Sequence, residues 1–322
     1  MQTAEVETSP AGQELASLLR DGMTSAELDG QEFPPPKWIV PGLIPEGLGI
    51  LVGKPKTGKS FLALNIAAAV SAGSSVLGER VERRRVLYLA LEDTFRRMQT
   101  RLKMIGALPN DKLHIYTAWK SGENGLRYLR LFLAQYNDCG LVIIDTLSRV
   151  REATPGEGYN YLEDYKFMTP LKTIADGRNL SILALHHTRK QEAEDWMDAA
   201  SGTTGITGAA DTIMLLQRGR GEVDAIISAS GRDFEEREIA LSFEQNGGWV
   251  FKGPASDYRQ SVERRQILQA LREAISDASA AELSAVIGKK ANTITYHLIA
   301  LEKEGLIMKV KTGRYALREK SN

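Results

Sequence analysis

The sequence predicts an α/β protein: a mainly parallel sheet around a phosphate-binding loop, an antiparallel edge hairpin, and a small C-terminal winged-helix domain. Three observations carry this expectation. Gly53 to Ser60 reads GKPKTGKS, between an apolar strand-like run (Leu48–Val52) and a helix-compatible stretch from Phe61 to Val70. That is the strand–loop–helix context which a phosphate-binding loop requires. Short continuous apolar runs recur from Gly47 to about Gly253, with helix-length patterns between most of them, and such runs mark strands buried on both faces. From Ser261 onward, three helical patterns precede two short strand patterns around Thr312-Gly313, the order of a winged helix.

A chain of 322 residues exceeds one typical domain. We divide it into an N-terminal arm and linker (1–37), a nucleotide-binding domain (38–254) and a winged-helix domain (259–322). The arm holds a short amphipathic segment (Leu15, Leu18, Leu19), and Pro34-Pro35-Pro36 stiffens the chain into an extended form. Lys37 to Pro45 is apolar and punctuated by proline, as expected of a segment packed on the core's edge or on a neighbouring subunit. The only cysteine, Cys139, leaves no internal disulfide and fits a reducing compartment. The first ten residues have no apolar signal core, and the longest apolar stretch is the loop's own helix, too short to span a bilayer. A cytoplasmic location without membrane contact is the expectation. Net charge is zero, but Arg259 to Asn322 carries twelve Lys and Arg against seven Asp and Glu. A basic tail on an acidic body hints at a nucleic-acid partner.

The remaining elements follow in order. Strand-like runs are Arg85–Leu91, Leu113–Thr117, Leu141–Thr146, Ser181–His187 and Thr212–Gln217. Helical patterns occupy Thr94–Ile105, Glu123–Tyr136 and Tyr161–Asp176. From Val223 to Lys252 the pattern alternates around turn residues (Gly231, Asn246-Gly247-Gly248), which suggests an antiparallel extension at the sheet's edge. A polar join from Gly253 to Gln260 leads to helices at Ser261–Ser276, Ser279–Ile287 and Asn292–Glu304, then to the hairpin within Met308–Arg318.

The chemistry-bearing residues start at the loop. Backbone N–H groups of Gly53, Lys54, Pro55, Lys56, Thr57, Gly58, Lys59, Ser60 and Phe61 (proline excepted), with the positive end of the following helix, suit a di- or triphosphate. Lys59 would reach the terminal phosphates, and the Ser60 hydroxyl would be a Mg2+ ligand. Asp145 ends a buried strand, where nucleotides bind in such sheets, and is expected to hold the metal's water shell. Glu92 and Asp93 end the strand Arg85–Leu91 and face the same crevice if that strand neighbours the loop strand. Glu92 is the candidate catalytic base, while Asp93 reads as the next helix's N-cap. His186 and His187 point to opposite faces of their strand, so they do not converge on one ion. His187 is the preferred sensor of the terminal phosphate, relaying its state to the polar loop Thr188–Gly208, which carries Arg189 and Lys190. Arg232 suits a γ-phosphate reached from a neighbouring subunit, with Arg218 and Arg220 as rivals. In the C-terminal unit Lys289, Lys290, Asn292, Thr293, Thr295, Tyr296 and His297 suit contacts in a DNA major groove, and Lys309, Lys311 and Arg314 suit phosphates.

Together these residues resemble the RepA-like branch of RecA-type ATPases, the hexameric replicative helicases of plasmids and phages. The matching pieces are WIVPGLIPEG from Trp38, GKPKTGKS, LALED ending on Glu92 and Asp93, LVIIDT at Asp145, LHHTRK at His186, SGTTGITGAAD ending at Asp211, and GRDFEERE. The resemblance covers about Pro35 to Gly253, with the winged helix as an added module. It implies ATP and Mg2+ as cofactors, Lys59 and Ser60 on phosphate and metal, Glu92 as base, Asp145 on the metal through water, and His187 as the switch to the DNA loop. It also implies a homo-oligomeric, hexameric ring with single-stranded DNA at its centre and an arginine supplied between subunits, here Arg232 by its position in the GRD hairpin. The winged helix would meet duplex DNA. The function it implies is an ATP-hydrolysing DNA motor, a replicative helicase of a plasmid, phage or mobile element. The alternatives are an ATP-switched DNA-binding regulator and a RecA-type recombination or repair ATPase.

Overall fold

The computed structural model describes residues 22–151, 161–187, 204–218, 224–274 and 277–318. The chain forms two compact units, one up to Pro36 and one from Lys37. In the first, a short helix α1 (Ser25–Asp29) starts at Thr24, whose side chain forms a reciprocal capping box with Glu27.

The second unit is built on nine strands in the order β13-β12-β11-β10-β3-β9-β8-β6-β7. The parallel part comprises β3 (Gly47–Gly53), β6 (Arg85–Ala90), β7 (Leu113–Tyr116), β8 (Cys139–Asp145), β9 (Ser181–His187) and β10 (Thr212–Arg218). Strands β11 (Asp224–Gly231), β12 (Arg237–Phe243) and β13 (Trp249–Pro254) extend it antiparallel from β10, as the alternating pattern predicts. Every residue of β3 and β8 is buried, which explains why these strands read as unbroken apolar runs.

Helices cover both faces. On one lies α2 (Lys59–Ala72), packing Leu62, Leu64, Ile66 and Val70 against Leu51, Tyr88, Ile143 and Leu185. On the other, α4 (Gly122–Gln135), α5 (Tyr161–Arg178) and α6 (Thr204–Ala209) pack against Ile50, Val52, Leu89 and Ile144. Helix α3 (Phe95–Met104) follows β6. The segment from Trp38 forms a small hairpin, β1 (Trp38–Val40) with β2 (Ile44–Pro45), which buries Ile39, Val40, Leu43 and Ile44 in the core on the α2 side. A second small hairpin, β4 (Ser75–Val76) with β5 (Glu79–Arg80), follows α2.

The polar join is not a linker. Helix α7 (Ala255–Glu273) starts directly after β13, so Gly253 to Gln260 spans the end of that strand and the first turns of a helix. Its polar residues are used at the sheet's edge: Arg259 pairs with Glu238 at 2.7 Å, and the Tyr258 hydroxyl bonds to Asp224. Helices α8 (Ala280–Ile287) and α9 (Ala291–Lys303) and strands β14 (Ala278–Ser279), β15 (Ile307–Lys311) and β16 (Arg314–Leu317) complete a winged helix around Ile267, Leu283, Ile294, Leu298 and Tyr315. The sequence patterns do not reveal β14, which at two residues is too short to show alternation. Among the described residues no helix is long and apolar enough to cross a membrane.

Asp211 pins the amino-terminal rim of the sheet. Its carboxylate accepts from the Leu48 backbone N–H at 3.0 Å and from Lys172 Nζ on α5 at 2.5 and 2.7 Å. Gly47 passes against it with φ +105, and a Cβ there would lie 2.8 Å from Asp211 Oδ2. Replacing Asp211 with Ala leaves a buried N–H unpaired and should cost about 2 to 3 kcal/mol, read as a lower urea midpoint. Asp211→Asn, which keeps an acceptor for Leu48, should cost less.

Candidate functional site

The loop between β3 and α2 has a shape only particular residues allow. Gly58, the residue before α2, has φ +101, and a Cβ on it would lie 2.7 Å from the Trp249 ring. A Cβ on Gly53 would lie 2.7 Å from the Leu216 carbonyl oxygen. The first residue of β13 braces the loop from outside: Trp249 Nε1 donates to the Gly58 carbonyl at 3.3 Å. Asn65 on α2 ties the same hairpin down, donating to the Gly247 carbonyl at 3.1 Å and accepting from the Trp249 N–H at 3.3 Å. Sequence reasoning missed this brace, because nothing near Trp249 announces a partner so far upstream.

Lys59 is 4% exposed and lies across the loop, its ammonium donating to the Gly53 carbonyl at 2.7 Å and the Lys54 carbonyl at 2.9 Å. An ammonium has three N–H donors, so one remains for a phosphate oxygen. Burial pulls the amine down to about 8, and the nearby charges of Asp145 and Glu92 oppose that pull. Thr57 closes the turn by donating to the Lys54 carbonyl at 2.9 Å.

The acids reach the same crevice by a route different from the expected one. Strand β6 does not neighbour β3; β9 and β8 lie between them. Instead β6 pairs with β8 so that Ala90 stands opposite Asp145, and the Leu91 N–H donates to the Asp145 carbonyl at 2.8 Å. Glu92 therefore leaves its strand beside the tip of β8, where its Oε1 accepts from the Thr146 hydroxyl at 3.1 Å and lies 3.6 Å from Arg149 Nε. Asp145 shares the α2 face with Leu141 and Ile143 and is 5% exposed. Burial pushes its carboxyl upward, and hydrogen bonds from Ser60 and Tyr88 counter this. A buried carboxylate beside a serine hydroxyl is an all-oxygen donor pair of the kind that suits Mg2+. Asp93 is not the N-cap. Thr94 caps α3 by accepting from the Arg97 N–H, while Asp93 forms ion pairs with Arg97 and Arg101.

His186 and His187 stand opposite Val52 and Gly53 at the end of β9. His186 is buried on the face of Ile182 and Ala184, and burial lowers it to about 4, helped by His187, Arg151 and Lys59. His187 shares the face of Leu183 and Leu185, on the α2 side; burial lowers it too, with Lys59 adding to the effect and Glu92 opposing it. His187 is thus the histidine on the loop's side of the sheet.

Arg232 lies elsewhere. Gly231 is level with Thr212 and Thr212 with Gly49, so Arg232 sits at the amino-terminal rim, opposite the rim from which the loop opens. Its guanidinium is 3.7 Å from Asp211 and is 62% exposed. It is therefore remote from the phosphate loop of its own chain. Arg218, at the far end of β10, stacks 4.5 Å from the Phe243 ring centroid. Arg220, Arg189, Lys190 and the Thr188–Gly208 loop as far as residue 203 lie outside the described residues, as do the arm up to residue 21 and residues 275–276 of the expected helix end.

The winged helix corrects part of the expected DNA-contact set. His297 is 2% exposed and bonds to Glu263 at 2.8 Å, a carboxylate that also pairs with Lys289. Arg314 is tied to Asp277 and Glu282. His297 reads as a groove contact from its helix position and Arg314 as a phosphate contact from its charge on the wing, but His297 is packed inside and the Arg314 guanidinium is paired with carboxylates of its own domain. Lys290, just before α9, and Asn292, Thr295 and Tyr296 on it remain exposed, as do Lys309 and Lys311 on β15.

A loop with a buried lysine at a sheet rim shared by two strand-tip acids defines a P-loop α/β protein, its fold that of RecA-like helicase ATPase domains. Residues 14–193, more than half of the chain, match the profile of the AAA domain, and the chain belongs to that family. Residues 261–309 match the profile described as bacterial regulatory protein, arsR family. Among solved structures, the chain is similar to an ATPase domain, with a TM-score of 0.56 and 14% identity over 75% of this chain and 99% of that one. It is also similar to a DnaB-like replicative helicase whose structure was determined with its interactions with primase. That likeness has a TM-score of 0.55 and 15% identity over 77% of this chain and 73% of that one. At these identities the likeness is one of fold. No curated protein matches the chain.

The lowered Lys59 value has two consequences. Between about 8 and the ordinary 10.5 the unfolded chain holds a proton that the folded chain lacks, so this group makes stability rise with pH across that window. A polyphosphate beside Nζ favours the charged form, so nucleotide binding above about pH 8 should take up a proton. Titration calorimetry in buffers of different ionisation enthalpy should show uptake growing as pH rises past that value.

Proposed function

We propose that this protein is an ATP-hydrolysing, ring-forming DNA motor, a replicative helicase of a plasmid, phage or mobile element that works in the cytoplasm. The observation that carries the reading is the meeting of Lys59, Ser60, Asp145 and Glu92 at one sheet rim, on a fold similar to helicase ATPase domains. In this reading ATP lies on Gly53 to Phe61. Lys59 neutralises the terminal phosphates, and Ser60 with Asp145 would hold Mg2+. Bound there, Mg2+ would draw charge from the phosphate oxygens.

Glu92 orients the attacking water and accepts its proton; its half-exposed position and its bond from Thr146 suit a base that must meet solvent. His187, which feels the charges of both Lys59 and Glu92, senses the terminal phosphate and passes its state to the loop that follows β9. Arg232 reaches the γ-phosphate of a neighbouring copy, which its place on the opposite rim supports. Six copies close a ring around single-stranded DNA, and the winged helix engages duplex DNA through Lys290, Asn292, Thr295 and the β15 lysines. Function divides at the boundaries 1–37, 38–254 and 259–322, although α7 joins the last two without a flexible link.

A second reading, an ATP-switched DNA-binding regulator, is favoured by the match of residues 261–309 to a regulatory family. Strand displacement separates the two. The motor should unwind a forked duplex with ATP. Glu92→Gln should keep nucleotide binding while hydrolysis falls about 10²-fold or more, and Lys59→Ala should lose both. A wild-type protein that hydrolyses ATP yet neither unwinds nor translocates, while footprinting a defined duplex site even as Glu92→Gln, would overturn the motor in favour of the regulator.

A further inference from the structure

Tyr88 takes no part in the chemistry above, yet its hydroxyl touches the carboxylate of Asp145, which does. The side chain is on β6, 1% exposed, and turned to the α2 side with Val86 and Ala90. Its hydroxyl lies 3.0 Å from Asp145 Oδ2 and 3.3 Å from the Ser60 carbonyl oxygen. One O–H carries one proton, and the shorter approach and the charge of the carboxylate direct it to Asp145. Phenylalanine would fill the same space with no polar atom to satisfy, so packing alone does not call for tyrosine. The hydroxyl lies at one buried point where three elements meet: β6 that bears it, the tip of β8, and the first turn of α2.

We propose that Tyr88 is a positioning residue for the metal site: its hydroxyl donates to one oxygen of Asp145 and so fixes that carboxylate beside the first turn of α2, which bears Ser60. Asp145 Oδ1 and the Ser60 hydroxyl are then presented as a preset pair, with carboxylate rotation about its own bond suppressed. The inference rests on the reading of Asp145 and Ser60 as the Mg2+-holding residues. It gives Tyr88 the part that outer-shell partners play around metal ligands, where loss of one costs about 10- to 100-fold in metal affinity.

Binding of a fluorescent ADP, titrated with Mg2+ and repeated in EDTA, tests this without reference to turnover. In Tyr88→Phe the half-saturating Mg2+ concentration should rise about tenfold, while ADP affinity in EDTA stays at the wild-type value. A Tyr88→Phe protein with a lower melting temperature but wild-type Mg2+ dependence overturns the inference and leaves Tyr88 a packing residue. Should that variant fail to fold, the wild-type protein labelled with ζ-carbon-13 tyrosine decides: adding Mg2+ to the ADP complex should move the Tyr88 signal, and an unmoved signal overturns the proposal. Wild-type protein whose ADP binding ignores Mg2+ altogether would sink the parent reading of Asp145 and Ser60 as well, so the two failures are distinguishable.

Discussion

A positive charge withdrawn from water governs this molecule. Lys59 is buried at the first position of α2, and an unpaired ammonium in such a place would cost several kcal/mol. Two loop carbonyls and the charges of Asp145 and Glu92 keep it there. That requirement explains why the loop must fold back on Gly53 and Lys54. It also explains why the acids must arrive at the same rim. Taking either set away would leave the charge stranded, so the loop, β8 and the tip of β6 are parts of one electrostatic arrangement.

The rest of the sheet holds that arrangement in register. Strand β8 supplies Asp145 on the α2 face, and β6 brings Glu92 beside it through one further ladder bond. From the other side the antiparallel strands lean on the loop, with Trp249 against Gly58 and Asn65 fastening the turn at Gly247. Strand β13 runs straight into α7, whose start is held by Glu238 and Asp224. The winged helix is therefore mounted on the strand that braces the phosphate loop. Short, directly bonded connections of this kind resist independent movement of the parts they join.

Much of the fold was legible. Strands β3, β8 and β9 were visible because burial on both faces removes polar residues from a run, and α3, α4, α8 and α9 because one face of each is apolar. The opposed directions of His186 and His187 follow from strand periodicity and hold in the structure. Less legible were residues whose partners are distant. Asp93 looked like a cap by position, but Arg97 and Arg101 claim its carboxylate and Thr94 caps the helix. His297 and Arg314 carried the polarity of DNA contacts, yet Glu263 and Asp277 turn them inward. The start of α7 was hidden because its first residues are polar for the sake of a sheet edge that composition does not display.

Read along the chain, the residues settle everything that depends on near neighbours: a glycine loop between strand and helix, a lysine and serine at its end, acids closing apolar strands. Backbone sterics and residue spacing are enough for these, since each involves only a few consecutive positions. Which strands lie side by side is a different matter. That β6 lies beside β8 and not β3 and so brings Glu92 to Asp145, that Tyr88 meets Asp145, and that Arg232 stands at the opposite rim were decided by tertiary packing. Such encounters join positions far apart in the chain, and the free energy that selects them belongs to the assembled core.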